Sequence, residues 1–274
     1  MQKIIEAIVY GIIQGLTEFI PISSTAHIRI VPALLHWGDP GAAFTAVIQI
    51  GTLISTLIYF RKDIFDLING FFGALKKRDF SDPYARISIL IIIGTIPISV
   101  FGLLLKKHIE GNFRGLYVIA ASLIGLAIVL YIAEKVASRK KEFDQITFMD
   151  GIIIGFAQAV ALIPGSSRSG VTITAGLFCG LKRDTAARYS FLLSLPAVFL
   201  SGVYELYSER QALLNENTLS LIVATVVSGV VGYMAIAFLI NYLKTRTNML
   251  FIVYRIILAI AILILLRIGE LTNL

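Results

Sequence analysis

Apolar residues run through this chain in long blocks, and the polar positions between them fall into a few tight clusters. Six blocks, at about 42–60, 86–106, 115–134, 186–206, 219–240 and 250–268, reach the roughly 20 residues that a helix needs to cross a bilayer. Two further apolar regions, 4–35 and 148–178, are interrupted by glycine, proline, hydroxyl-bearing and charged residues. Backbone that leaves the helix at membrane depth is tolerated only where protein buries it or where it lines a wet cavity. Both regions are therefore read as re-entrant helical hairpins with the polar cluster at the tip. The pattern predicts an all-α polytopic membrane protein with six transmembrane helices and two hairpins. The order is hairpin, three spans, hairpin, three spans, in a single domain over 1–274.

The two interruptions resemble each other. One runs from Gly11-xxx-Gly15 through Gln14 and Glu18 to Pro21, Ser23, Ser24, Thr25 and His27. The other runs from Gly151-xxx-Gly155 through Gln158 to Pro164, Gly165, Ser166, Ser167, Arg168, Ser169 and Thr172. Ala42-Ala43 and Ala186-Ala187 stand 144 residues apart and the glycine steps 140 apart, which asks for a short insertion before Pro164. Three spans is an odd number, so the second half, about 141–274, must enter from the opposite face to the first, about 1–140. Such an inverted-topology repeat places its site where the broken segments of the two halves meet.

Composition agrees: 57% of the 274 residues are hydrophobic and 15% charged, with mean hydropathy +0.84. Soluble domains are about half apolar and a quarter charged, and a larger core would need more polar surface around it. The net charge of +7 does not indicate nucleic acid, because the basic residues lie in short loops. Lys3, Arg29, Lys106, Lys107, Arg114, Arg210 and Arg267 fall on the side that holds both termini. Against them stand Arg61, Lys62, Lys76, Lys77, Arg78, Arg86, Lys135, Arg139, Lys140, Lys141, Lys182, Arg183, Lys244 and Arg246. The positive-inside rule makes this second, larger set cytoplasmic and puts both termini outside. Arg168, Arg188 and Arg255 are intramembrane in this arrangement. After Lys3 the apolar stretch runs into Gln14 and Glu18, which is not a cleavable signal pattern. Cys179, alone and among apolar neighbours, reads as a packed thiol. Ser228, Gly229 and Gly232 suit close helix packing in the fifth span, and the oligomeric state, a homodimer included, is left open.

The chemistry sits at the tips. Gln14 and Glu18 share one helix face, and a carboxylate at membrane depth marks a functional site by default. The bland alternative is an ion pair with Arg29 or Arg168. His27, beside that acid and three hydroxyls, fits a nucleophile, proton carrier or phosphate ligand better than the alternative of a satisfied buried imidazole. His36 and His108 lack such neighbours and read as loop or interface residues. Ser23, Ser24 and Thr25 offer hydroxyls beside free backbone amides, suited to phosphate oxygens or simply to helix capping. In the second tip Gly165 lets the backbone approach a ligand, and the planar fork of Arg168 matches two phosphate oxygens. Ser166, Ser167, Ser169 and Thr172 surround it. Anion cradle, charge neutralisation and oriented nucleophile are the requirements of phosphoryl transfer. Glu18 with phosphate oxygens and water could hold Mg²⁺ or Ca²⁺, although neutral Gln14 makes the protein's share thin.

These residues also carry a family resemblance. Gln14-xxx-Glu18 with Ser24-Thr25-Ala26-His27 resembles the (E/Q)xxxE and Ser/His segment of the bacitracin-resistance type undecaprenyl-pyrophosphate phosphatases. Pro164-Gly-Ser-Ser-Arg-Ser-Gly-Val-Thr172 is similar to their PGxSRSxxT motif at every defined position. Ala26 stands where many members have glycine. The resemblance covers the whole chain. It implies hydrolysis of undecaprenyl pyrophosphate to undecaprenyl phosphate and inorganic phosphate, recycling the peptidoglycan lipid carrier and opposing bacitracin. It further implies a bacterial cytoplasmic membrane location, a site facing the periplasm, a divalent cation, and roles for Glu18, Ser24, His27, Ser167, Arg168, Ser169 and Thr172. Three mechanisms stay open: attack by Ser24, attack by His27, or water activated by Glu18. The rival reading is an inverted-repeat transporter or flippase for a phosphate-bearing lipid or anion.

Overall fold

The computed structural model describes residues 2–38, 40–105, 115–208, 210–211 and 217–273. Lys106, Lys107, His108 and Arg114 lie outside the described residues. Within them the chain forms eleven α-helices and no strand. α1 (Gln2–Phe19) and α2 (Ser24–Leu34) make the first hairpin, followed by α3 (Gly41–Tyr59), α4 (Arg61–Lys77), α5 (Pro83–Leu104) and α6 (Leu116–Val136). The second hairpin is α7 (Phe148–Ala159), a 3₁₀ turn (Val160–Leu162) and α8 (Arg168–Phe178), followed by α9 (Arg183–Ser208), α10 (Thr218–Thr245) and α11 (Met249–Ile268).

Local sequence explains the starts. Asp82 caps α5 by accepting from the Tyr84 and Ala85 amides at 2.8 and 3.0 Å, with Pro83 in the first turn. Asn217 does the same for α10, and Thr147 with Asp150 forms a capping box on α7. Five helices are long and apolar enough to cross a membrane; α3 and α4 meet that measure only as a pair, with a bend of 74° between them. The segment 61–77, which sequence reading treated as basic loop, is thus a helix. Exposed Phe65 and Phe72 along its length, with Lys76 and Lys77 in its last turn, suit a helix lying along a bilayer surface. Leu103, Leu104, Val226 and Ile264 are more than half exposed on the spans, a surface that water does not tolerate over so wide an area.

The helices of the two halves interlock. α1 lies against α10, α7 against α5, α3 against α9 and α6 against α11. Each hairpin therefore packs on the middle span of the other half. The seams are very close. A β-carbon on Gly15 would stand 2.8 Å from Gly232 N, and one on Gly155 would stand 2.4 Å from Gly94 Cα. Without a hydrophobic driving force between helices in lipid, such small-residue contacts supply the packing. Ser228 and Gly229 are spent in the same way inside the chain: Ser228 Oγ donates to Ile48 O at 2.8 Å, and Gly229 faces Gly51. They are not left over for a second copy.

At the basic end, buried Glu134 accepts from Arg183 Nη2 at 2.7 Å and from Asn248 Nδ2 at 2.7 Å, tying α6, α9 and α11 together. Lys141 pairs with Asp150 at 2.8 Å beneath the second hairpin.

Candidate active site

The two tips are built alike. After α1 the chain turns at Pro21, and Ser23 caps α2 with its Oγ accepting from Ala26 N at 3.4 Å. After the 3₁₀ turn, Gly165 adopts φ +90°, where a β-carbon would strike Ile119 O at 2.6 Å, so the turn requires glycine. Ser167 then caps α8, accepting from Gly170 N at 3.2 Å. Both capping serines hold positive φ, +77° for Ser23 and +67° for Ser167, a conformation that costs a non-glycine residue of order 1–3 kcal/mol. Ser23 and Ser167 stand 144 residues apart, as do Gln14 and Gln158 and, further on, Ala43 and Ala187. At that spacing Gly11 falls on Gly155, and the insertion expected before Pro164 is not needed.

Between the tips lies a cavity of about 560 Å³. Glu18, Ser23, Ser24 and Thr25 line it from the first hairpin, and Gly165, Ser166, Ser167 and Arg168 from the second. The central contact is an ion pair between Glu18 Oε1 and Arg168 Nη2, whose side chains are 7% and 16% exposed. Gln14 Nε2 donates to the other Glu18 oxygen at 3.0 Å, and Gln49 Nε2 reaches Oε1 at 3.3 Å. Arg168 Nη1 also lies 3.5 Å from Ser194 O. A desolvated pair of this kind is held by geometry and added hydrogen bonds rather than by Coulomb attraction alone. The N-terminal turns of α2 and α8 begin at the cavity wall, presenting the backbone amides that anions seek. Ser166 Oγ is buried without a hydrogen-bond partner among the described residues, leaving its hydroxyl free for a ligand.

Four residues expected in the site do not line this cavity. Gln14, 1% exposed, stands behind Glu18 and holds it. Ser169 is buried against Ser167 Oγ at 3.2 Å, and Thr172 donates to Arg168 O at 2.8 Å while its hydroxyl meets that of Ser190 on α9. His27 Nδ1 lies 2.7 Å from Ser23 O; a carbonyl can only accept, so Nδ1 carries a proton. In the neutral ring His27 Nε2 accepts from the Tyr254 hydroxyl at 2.7 Å, the two rings stacked with centroids 5.7 Å apart. Both ring nitrogens are thereby engaged.

Other residues of the site were not found by motif reading. Gln49 on α3, Ser99 on α5, and Ser201, Tyr204 and Glu205 on α9 line the cavity. Their one sequence signal is polarity inside or at the end of an apolar block. Arg255, fully buried on α11, braces the second turn from behind. Its Nη2 donates to Ser166 O at 3.0 Å and lies 3.4 and 3.5 Å from Ser122 O and Gly165 O. Cys179 stands apart, and burial pushes its thiol up to about 11, which keeps it inert at neutral pH.

Fold and site together define a polytopic α-helical membrane protein with an acid–arginine pair in a hydroxyl-lined cavity between two re-entrant tips. The family of the bacitracin resistance protein BacA matches residues 7–261, and the chain belongs to it. Its relatives include the undecaprenyl-diphosphatases of Chlorobaculum tepidum (54% identical), Chloroherpeton thalassium (55%) and Myxococcus xanthus (52%). Each alignment covers 98% of this chain, and 99%, 98% and 91% of the respective relative.

Proposed function

We propose that this chain hydrolyses undecaprenyl pyrophosphate to undecaprenyl phosphate and inorganic phosphate, which recycles the lipid carrier of peptidoglycan synthesis and opposes bacitracin. The observation that carries the reading is the buried Glu18–Arg168 contact, made across 150 residues of sequence inside a hydroxyl-lined cavity. Arg168 has fork donors beyond the one that meets Glu18, and these suit pyrophosphate oxygens. Ser24, on the cavity wall at the first turn of α2, is the nucleophile we favour. Its Oγ forms a bond to the terminal phosphorus while the bridging P–O bond breaks and undecaprenyl phosphate leaves. The hydroxyl proton passes to Glu18, and water then releases phosphate from the serine. Attack by His27 would first require it to leave Tyr254. In this reading His27 instead braces Ser23 O and holds the tip.

A divalent cation enters this reading as the counter-ion of the pyrophosphate. The donor set around Glu18 does not fit a resident metal: its oxygens already face Arg168 and two amide nitrogens, and no cluster of three acids, histidines or cysteines occurs among the described residues. We also read the two halves as an inverted-topology repeat, supported by the cross-packed hairpins and the shared 144-residue spacing. The cavity is walled by the ends of α5 and α9 remote from the larger basic set, which supports a site and termini facing the exterior.

Phosphate release from undecaprenyl or farnesyl pyrophosphate by the purified protein in detergent tests the assignment. No release, with lipid or anion flux in vesicles that Glu18→Ala and Arg168→Ala abolish, would establish the transporter instead. Rapid quench should trap phosphate on Ser24, and a label on His27 would reassign the nucleophile.

A further inference from the structure

We infer that the prenyl tail of the substrate leaves the polar cavity between α5 and α9 and runs along an apolar groove floored by α4. This rests on the hydrolase reading above, because it concerns the hydrocarbon part of the same ligand. A long-chain prenyl pyrophosphate is mostly hydrocarbon, so a path for it must connect the head-group cavity to lipid. Only a seam whose two helices both line the cavity can supply one.

α5 and α9 meet that condition twice. Near one end they give Ser99, Gly102 and Leu103, with Leu200 and Ser201, to the polar cavity. Toward their basic ends they give Ile91 and Ile92, with Leu192 and Leu195, to a second hollow of about 220 Å³. The α4 residues Ile64, Leu67, Ile68, Phe71 and Phe72 close that hollow from below. Its single polar group, the Ser88 hydroxyl, lies 2.7 Å from Leu67 O and 2.8 Å from Tyr84 O and so offers nothing polar to a ligand. Each span carries an interior proline where the two hollows meet: Pro97 in α5 next to the cavity-lining Ile98, and Pro196 in α9, which itself lines the second hollow beside Ala197 of the cavity. Neither can donate to the preceding turn, and such positions bend helices and part neighbours.

Other seams of the bundle are closely packed. A β-carbon on Gly11 would meet Ala224 O at 2.6 Å, closing α1 against α10, and one on Gly51 would meet Thr225 O at 2.2 Å, closing α3 against α10. Gly94 and Gly155 close α5 against α7, as described above. Leu116, Ile119 and Leu123 with Ala259 and Ile262 fill the seam between α6 and α11. Aromatic packing of Phe60 on Phe191, at 6.1 Å between centroids, fills that between α3 and α9.

Lipid tails are as apolar as leucine, so the groove gains little from removing a tail from water. Its contribution is to position, fixing the phosphate end against the tips, and it grows with the number of isoprene units that the groove holds.

The test is a chain-length series of isopentenyl, farnesyl and undecaprenyl pyrophosphate with Leu195→Trp and Ile92→Trp protein in detergent. The expected result is a loss in kcat/KM of tenfold or more on the undecaprenyl substrate, a smaller loss on farnesyl, and none beyond twofold on isopentenyl. Equal losses at every length, or no loss at any, would overturn the path. Photolabelling of the unaltered protein with a polyprenyl pyrophosphate carrying a diazirine along its tail covers the case of variants that do not fold. Label on α4, α5 and α9 supports the groove, and label confined to α6, α10 or α11 overturns it. An unaltered protein that releases no phosphate from any member defeats the hydrolase reading itself. Hydrolysis with labelling elsewhere defeats only the tail path.

Discussion

Glu18 is held by donors from three helices: Gln14 on its own, Gln49 on α3 and Arg168 on α8. Gln49 belongs to no motif, and its amide is one of two that fix the carboxylate orientation. Replacing it with leucine removes a hydrogen bond to a charged group, about 1.5–3 kcal/mol. Gln49→Leu should therefore lower stability in detergent by an amount of that order, and by loosening Glu18 it should also lower kcat, which thermal unfolding and phosphate-release kinetics will measure. The capping serines allow a sharper comparison. Ser167→Ala keeps a β-carbon at φ +67° and loses the cap, so it should destabilise by about 1 kcal/mol. Ser167→Gly loses the same cap but relieves the backbone, and it should come out near neutral. Thermal unfolding of the two proteins in detergent decides. Equal losses would mean that the positive φ carries no strain.

At the scale of helices, the fold depends on seams where two backbones touch. Gly155 is the clearest case, since a methyl group there would fall 2.4 Å from Gly94 Cα and force α7 off α5. Gly155→Ala should cost about 1–3 kcal/mol, the usual range for overpacking, and should also shift the second tip. Gly125 on α6 has nothing within 4 Å of an added β-carbon, so Gly125→Ala should be neutral or slightly stabilising. Unfolding midpoints of the two variants, read together, separate backbone contact from helix propensity. Much of this scale is legible in sequence: every span expected from hydropathy is a helix here, and both interrupted regions are helical pairs. The bend into α4 was not legible, because Arg61, Lys62 and Asp63 read locally as loop. It is packing of Leu67 and Ala74 against the core that makes the segment a helix.

Across the whole molecule, the Glu18–Arg168 pair joins the two halves at their tips. Removing one partner leaves a buried charge uncompensated, about 3–5 kcal/mol in soluble proteins. Glu18→Gln and Arg168→Met should each unfold at distinctly lower temperature than the native chain. The double variant should regain most of that stability, and none of the three should release phosphate. A double variant no more stable than the singles would show that the pair does not link the halves energetically. Chelation should abolish hydrolysis, with recovery set by the ratio of added Mg²⁺ or Ca²⁺ to pyrophosphate rather than to protein, as a counter-ion demands.

The sequence by itself determined the solvent, the spans and the place of the site. Hydropathy is local and nearly additive, so a block such as 219–240 declares its environment without its neighbours. A carboxylate and an arginine inside such blocks likewise mark chemistry wherever the chain takes them. Only the tertiary structure decided which marked residues share a wall. Glu18 and Arg168 converge, while His27, equally conspicuous in sequence, turns to Tyr254, and Gln49 and Glu205 enter from spans with no motif. Partner choice at that level depends on helix contacts a few ångströms wide between segments up to 227 residues apart, and no local pattern of polar and apolar positions encodes those contacts.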